Sequence, residues 1–173
     1  TEYPWLDTEL AMFNLETNYQ PREFKGNCFS EMLDESEFQL NKIREVLAPL
    51  GADLLLTGIL PTLRISDLDY KFLTPKKRYL ALMEAVRSHL TSGSFELYLG
   101  GIDELMVKHD TPLLEACNTS FQVHLQVSPQ QFAKFYNIAQ TLAGPVMAIA
   151  ANSPLVFGRR LWHESRIALF QQS

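Results

Sequence analysis

The sequence lacks the basic excess and the cysteine pattern that would mark several protein classes. Its 173 residues include 15 basic and 20 acidic side chains, for a net charge of −5. A general nucleic-acid surface requires an excess of basic residues, so we expect no nucleic-acid partner. Cys28 and Cys117 lack metal-ligand spacing. A single disulfide between them is one interpretation, but the simpler one is two reduced thiols in a cytoplasmic protein.

Long apolar runs and a targeting segment are also missing. Residues 54–60 form an apolar run far shorter than the roughly 20 residues that a transmembrane helix requires, so we expect no membrane partner. The sequence starts without a signal peptide or an initiator Met. We therefore expect residues 1–173 to be a single domain that is a piece of a longer polypeptide.

Hydrophobic periodicity predicts an α+β fold. Alternation or short apolar runs predict strands at residues 9–19, 53–60, 95–99, 102–109 and 119–127. Helical periodicity predicts helices at 34–47, 75–90, 128–142 and 159–171, with Gly144-Pro145 separating the third from an apolar helix at 146–151. Because strands and helices do not alternate regularly, we expect a mainly antiparallel sheet with helices packed on one face.

The segment at 121–127 has one polar face. Gln122, His124 and Gln126 alternate with apolar residues, which suits a wet cavity for a charged ligand. His124 could bind a metal, donate to a carboxylate or neutralise a phosphoryl oxygen. The alternative is a half-exposed strand histidine without a function.

Glu16 lies between Asn14 and Asn18 on one face of the first predicted strand. A carboxylate beside amides is a good oxygen ligand for Mg²⁺. The alternative is a solvated polar face.

A basic cluster near the end of the sequence suggests an anion site. Arg159, His163 and Arg166 would share one face of the predicted helix, with Arg160 beside them. Guanidinium groups bind phosphate and carboxylate in a bidentate manner. The alternative is a solvated basic face balanced by Glu164.

These segments resemble motifs of the glutamate–cysteine ligase family, and most closely its bacterial carboxylate–amine ligase branch. The resemblance rests on Phe121-Gln-Val-His-Leu-Gln-Val127, Ala151-Asn-Ser-Pro154, Gly158-Arg159 and Ser165-Arg166. Phe13-Asn-Leu-Glu-Thr-Asn18 is similar to the family's acidic metal strand, and Leu56-Thr-Gly-Ile-Leu-Pro61, followed by Arg78-Tyr79, is similar to its Gly-Thr-His-Pro turn and subsequent helix.

The resemblance implies a glutamine synthetase-like fold and an ATP- and Mg²⁺-dependent ligase that joins an amino-acid carboxylate to an amine through an acyl phosphate. It implies the following roles: metal binding by Glu16 and His124, catalysis by His124 and Arg166, and cofactor binding by Arg159, Arg160, Asn152 and Gln122. A homo-oligomer is compatible with this assignment.

Two departures from the family pattern leave a second function open. Leu60, or Ile59 in a shifted register, replaces the histidine of the family's turn, and the Glu-rich strand that normally precedes the Glu16 strand is missing. The alternative to a ligase is therefore a non-catalytic relative that binds a nucleotide or an amino acid. A third hypothesis is a purely structural or interaction domain.

Overall fold

The computed structural model describes residues 2–90 and 94–172, and it confirms the α+β class. Three two-stranded antiparallel hairpins take the place of the single expected sheet in this part of the chain. They pair β1 (Leu6–Thr8) with β2 (Leu15–Thr17), β3 (Phe95–Gly100) with β4 (Glu104–His109), and β5 (Leu155–Val156) with β6 (Arg159–Arg160). The helices are α1 (Cys28–Leu47), α2 (Lys77–His89), α3 (Leu113–Ala116), α4 (Phe132–Ala150) and α5 (Arg166–Gln172).

The β3–β4 hairpin supplies the centre of the hydrophobic core. Leu97 pairs with Val107 and Leu99 with Leu105, and these four side chains are nearly inaccessible to solvent. Because side chains alternate along a strand, the intervening residues face outward. The strands predicted at 95–99 and 102–109 are confirmed, and the core residues of α3 and α5 pack against the apolar face of their hairpin.

The turn of this hairpin lies one residue later than residues 100–101, which separate the two predicted strands. Gly100 still pairs with Glu104, so the connection is residues 101–103. A Cβ on Gly101 would lie 2.6 Å from the Cα of Leu161. Glycine is therefore required for this close approach of the turn to the segment before α5.

Helices α1 and α2 confirm two predicted helices with shifted starts. Helix α1 begins at Cys28 rather than at residue 34, and its buried Gln39 donates to the carbonyl of Asn18 at 3.0 Å. Helix α2 begins at Lys77 rather than at residue 75. The hydroxyl of Thr74 donates to the carbonyl of Glu9, which attaches the chain before α2 to the β1–β2 connection.

The predicted strand at 53–60 is wrong. Leu55 and Leu56 are 61% and 65% exposed, and Ile59 makes only an isolated bridge to Asn118. A strand requires a neighbouring strand for its backbone hydrogen bonds, and none runs along this segment in the part of the chain described.

The predicted strand at 119–127 is also not formed. Residues 121–127 adopt no regular secondary structure, and no described strand pairs with them. The following helix is longer than predicted, since α4 continues through Gly144-Pro145 to Ala150. Proline removes one helical hydrogen bond without ending this helix. No helix within the described ranges combines the length and hydrophobicity needed to cross a bilayer.

The predicted helix at 159–171 is largely wrong. Phe157 and Gly158 have φ angles of 48° and 77°, which are left-handed. Two successive left-handed residues form a hairpin turn and are incompatible with a right-handed helix. The chain therefore forms β5 and β6, and the helical part is limited to α5.

Candidate functional site

The guanidinium of Arg166 holds two segments together at the start of α5. Its Nε and Nη2 donate to the two carboxylate oxygens of Glu164 at 2.6 and 2.7 Å, a bidentate arrangement. Its Nη1 donates to the carbonyl of Thr119 at 2.5 Å. The charge of Arg166 is thus matched inside the protein, and the chain just before residues 121–127 is fixed against α5.

Asn152 joins the end of α4 to the turn that contains Gly58. Its Oδ1 accepts the Gly58 N–H at 2.5 Å, while the N–H of Thr119 donates to the Gly58 carbonyl at 2.9 Å. A Cβ on Gly58 would lie 2.7 Å from both Asn152 Oδ1 and Arg166 Nε. Only glycine allows the three segments to come this close.

Glu164 is the buried carboxylate of this group and is 9% exposed. It also accepts from the hydroxyl of Ser153, and the N–H of Asn152 approaches it at 3.4 Å. The hydrogen bonds from Arg166 lower the pKa of Glu164 to about 2, with a smaller effect from Ser153. Glu164 is therefore an internal counter-ion rather than the solvated charge that the sequence suggested.

We call this group the junction cluster. It consists of Gly58, Thr119, Asn152, Ser153, Glu164 and Arg166. The structure brings the predicted site residues Asn152 and Arg166 together here. Sequence analysis did not predict the pairing of Glu164 with Arg166, although their short spacing could have suggested it. No sequence signal identified Thr119.

The other basic residues do not share a helix face with Arg166. Arg160, in β6, binds Asp103 through Nε and Nη2 at 3.0 and 2.9 Å. The pKa of Asp103 is lowered to about 2, first by the side-chain hydrogen bonds from Arg160. Arg159 and His163 are exposed, and the Arg159 side chain forms no ion pair within the residues described. Unlike those of Arg160 and Arg166, the guanidinium of Arg159 is therefore available to an external anion.

Glu16 lies in β2, and the hairpin register adds a second carboxylate beside it. Asp7 pairs directly with Glu16, so both side chains project from the same face. The ammonium of Lys76 lies 2.6 Å from Asp7 Oδ1 and is the main cause of a lowered pKa of Asp7. The guanidinium of Arg78 donates to the hydroxyl of Tyr79 at 2.6 Å, which raises the pKa of Arg78. The negative charges of Asp7 and Glu16 raise this pKa further.

These two carboxylates suit one type of metal site. Groups of three or more His, Cys, Asp or Glu side chains that could hold a metal do not occur among the described residues. Mg²⁺ is commonly held through one or two carboxylates together with substrate phosphates, which Asp7 and Glu16 match. Sequence analysis missed Asp7. The matching Leu6-Asp-Thr8 and Leu15-Glu-Thr17 segments could have indicated the pairing.

Gln122 and His124 lie on the exposed segment. Gln122 approaches Ser120 Oγ at 3.4 Å, and neither residue forms an ion pair in the described ranges. The ring of Phe121 lies 5.8 Å from that of Tyr19, which places the start of the segment beside the chain that leaves β2. The predicted site residues therefore occupy several places rather than one closed pocket.

A cavity of about 380 Å³ opens beside the β1–β2 connection. Met12, Phe13 and Leu60 line it, with Asp67 among its polar groups. Leu60 also packs against the core, so the residue that replaces the histidine of the family's turn has a structural role.

Comparison with known proteins agrees with the motifs in this site. The model of glutamate-cysteine ligase family 2 (GCS2) matches residues 6–173, which include every strand and helix from β1 to α5. No curated protein and no solved structure gives a significant match. Since the family model matches nearly the whole chain, the protein belongs to glutamate-cysteine ligase family 2.

Proposed function

We propose that this chain carries part of the active site of an ATP- and Mg²⁺-dependent carboxylate–amine ligase of the glutamate–cysteine type. The observation that carries the proposal is the family match over residues 6–173. The junction cluster supports it, because it joins the family-like motifs around Gly58, Asn152 and Arg166 through direct hydrogen bonds.

The proposed reaction forms an amide in two steps. An oxygen of the substrate carboxylate attacks the γ-phosphorus of ATP, the P–O bond to ADP breaks, and an acyl phosphate results. The amine nitrogen then attacks the acyl carbon, inorganic phosphate leaves, and the amine proton is released to water. Bound Mg²⁺ would offset the negative charge of the phosphates.

Different residues would serve the metal and the anions. Glu16, together with Asp7, would hold Mg²⁺ after Lys76 moves away from Asp7. His124 would contact the metal or a phosphoryl oxygen, with Gln122 beside it on the same segment. Arg159 would bind a phosphate or the substrate carboxylate, since its guanidinium is exposed.

Arg160, Arg166 and Asn152 would act from fixed positions. Arg160 binds Asp103 and would add positive potential beside Arg159. A guanidinium has five N–H donors, and three of those of Arg166 are engaged in the junction cluster. Arg166 would therefore contact an anion with its remaining N–H groups while it holds Glu164 and Thr119 in place.

Thermal melting with and without MgATP tests the nucleotide site. A ligand that binds only the folded state raises its stability, by about 2.7 kcal/mol at 100 times Kd. We expect MgATP to raise the Tm of the parent chain, and His124→Ala or Arg159→Ala to reduce that shift. Lys108→Ala is the control, because Lys108 pairs with Glu96 on the β3–β4 hairpin. An unchanged Tm at millimolar MgATP would contradict nucleotide binding.

A second pair of variants tests whether Glu16 binds the metal. Glu16→Gln removes a carboxylate charge, and we expect it to abolish the part of the ATP-induced shift that depends on Mg²⁺. Glu104→Gln is the matched control, since Glu104 is an exposed hairpin glutamate. Equal effects of the two substitutions would exclude Glu16 as the metal ligand.

A non-catalytic binding protein is the second candidate, and the charge pairing favours it. Lys76 compensates Asp7, and Glu164 compensates Arg166. Such a protein would bind MgATP or an amino acid without releasing ADP when glutamate and an amine are supplied together. A coupled ADP assay with glutamate and a panel of amines separates the two candidates.

A further inference from the structure

The ammonium of Lys76 is the counter-ion of a carboxylate that a metal ion at the β1–β2 hairpin would use. It lies 2.6 Å from Asp7 Oδ1, and Asp7 pairs directly with Glu16 across β1 and β2. An ammonium and Mg²⁺ are both cations, and like charges at close range repel each other. The two therefore compete for Asp7, so Lys76 would leave this carboxylate when Mg²⁺ binds.

The backbone around Lys76 is attached to the β1–β2 connection. The N–H of Thr74 donates to the carbonyl of Leu10 at 2.9 Å. The N–H of Met12 donates to the carbonyl of Phe72 at 2.8 Å. Lys76 itself precedes α2 in an extended conformation. Its backbone is therefore fixed near the hairpin, while its flexible side chain can change partners without leaving the site.

The ion pair between Lys76 and Asp7 is accessible to solvent. The two side chains are 34% and 50% exposed. Ion pairs between exposed charges contribute little net stability, because water and salt screen them. The pair of Arg166 and Glu164 differs, since its side chains are 24% and 10% exposed and further hydrogen bonds hold both groups. Of these two pairs, only Lys76 and Asp7 can exchange partners with a small loss of stability.

The charges at this site predict where the released ammonium goes. Asp7 and Glu16 both act electrostatically on the guanidinium of Arg78, so together with Lys76 the site contains two carboxylates and two cations. The site gains a positive excess when Mg²⁺ binds, and the negative phosphates of ATP would offset it. Lysine binds phosphate as a point charge, so the ammonium released from Asp7 has a new partner nearby.

We propose that Lys76 is an exchangeable counter-ion, which neutralises Asp7 while no metal is bound and binds a phosphate of ATP when Mg²⁺ is bound. Lys76 is thus a nucleotide-binding residue in addition to those that sequence analysis assigned. This role of Lys76 rests on the proposed function, because it requires MgATP at the hairpin that contains Asp7 and Glu16.

Lys76→Met tests the exchange through two affinities that should change in opposite directions. Mg²⁺ alone should bind more tightly to this variant, because the competitor for Asp7 is removed. MgATP should bind about tenfold more weakly, because a charge-assisted contact to phosphate is lost. Isothermal titration calorimetry measures both dissociation constants for the variant and for the parent chain.

Two further variants serve as controls. Lys71→Met removes the lysine of another exposed ion pair, with Asp69 at 3.6 Å, and should leave both dissociation constants unchanged. Lys76→Arg keeps the positive charge and should keep most of the affinity for MgATP. Surface substitutions of this kind change stability little, so all three variants should have a parent-like Tm without ligands.

Asp7→Asn shows whether the competition between the two cations depends on Asp7. In the Asp7→Asn background, the addition of Lys76→Met should no longer tighten Mg²⁺ binding, because the shared carboxylate is absent. A tightening of the same size in both backgrounds would overturn the exchange.

The remaining outcomes separate this role of Lys76 from the proposed function. Weaker binding of both Mg²⁺ and MgATP by Lys76→Met would indicate a purely structural residue. Tighter or unchanged binding of MgATP would indicate that the ammonium does not contact phosphate. Either result would overturn the exchange and leave the proposed function in place. A parent chain that binds no MgATP would contradict the proposed function itself, and the role of Lys76 with it.

Discussion

At the residue scale, Gly58 has no side chain, and this allows its segment to lie close to the segments that contain Asn152 and Arg166. We predict that Gly58→Ala lowers the free energy of unfolding by about 1–3 kcal/mol, as overpacking does. The added Cβ would meet Asn152 Oδ1 and Arg166 Nε at 2.7 Å, and three hydrogen bonds hold that guanidinium in place. Urea denaturation measures the change.

Gly144→Ala is the matched control for this substitution. A Cβ on Gly144 meets nothing within 4 Å, and alanine favours a helix over glycine by about 1 kcal/mol. We expect no loss of stability from this change. A Gly58→Ala variant as stable as the Gly144→Ala variant would contradict the close packing of the junction cluster.

The carboxylate of Glu164 contributes a pH-dependent part of the stability. Hydrogen bonds from Arg166 lower its pKa from 4.5 to about 2, so the stabilisation is present above pH 4.5 and is lost as the pH falls toward 2. We predict that Glu164→Gln lowers the free energy of unfolding at pH 7 by about 1–3 kcal/mol. Its stability should also depend less on pH between these values.

Urea denaturation across this pH range measures both effects. Glu104→Gln serves as the control, because that glutamate is exposed on the β3–β4 hairpin. A parent-like pH profile for Glu164→Gln would show that Glu164 is not the buried counter-ion of Arg166.

At the element scale, the β5–β6 turn separates the arginines that sequence analysis placed on one helix. We predict that Gly158→Ala destabilises the protein by about 1 kcal/mol, because the φ angle of Gly158 is 77° and a Cβ is unfavourable there. A new Cβ would touch nothing within 4 Å, so the cost comes from the backbone alone.

Gly100→Ala tests the same change at a strand end. Gly100 has no left-handed φ angle, and its Cβ would make an ordinary contact with Tyr98 Oη at 3.7 Å. Thermal melting should therefore show a loss of Tm for Gly158→Ala only. Equal losses in the two variants would contradict the explanation that the left-handed φ angle of Gly158 requires glycine.

The strands illustrate which elements a local pattern can predict. The alternating residues of β3 and β4 have their partners a few positions away in the sequence, so the hairpin satisfies its own backbone groups. Residues 121–127 alternate and residues 54–60 form an apolar run, but neither segment has an adjacent partner strand in the described residues. A hydrophobic pattern indicates the ability to form a strand, whereas pairing depends on what lies beside it.

At the scale of the whole molecule, His109 makes the fold sensitive to mild acid. It is 7% exposed, its ring stacks on Phe95, and its Nδ1–H donates to the carbonyl of Thr111 at 2.9 Å. Burial lowers its pKa below 6.5. Its Nε2 is buried without a hydrogen-bond partner in the described part of the chain, so a proton added there would have no acceptor.

We predict that global stability is full above about pH 6.5 and declines as the pH falls below that value. The unfolded state then binds a proton that the folded state resists, so stability rises with pH in this interval. His109→Phe should flatten this slope, because it removes the buried ring nitrogen that resists the proton. Urea denaturation at several pH values provides the comparison, and a parent-like slope in His109→Phe would contradict the prediction.

The sequence alone determined the α+β class, the family, helices α1 and α2, and the β3–β4 hairpin, because periodicity and short-range pairing depend on residues close in the chain. It also indicated Asn152 and Arg166 as members of one site. Only the tertiary structure decided that Arg166 is paired with Glu164, that Asp7 lies beside Glu16, and that residues 121–127 have no neighbouring strand. These features depend on contacts between segments distant in sequence and on two left-handed residues, which hydrophobic patterns do not encode.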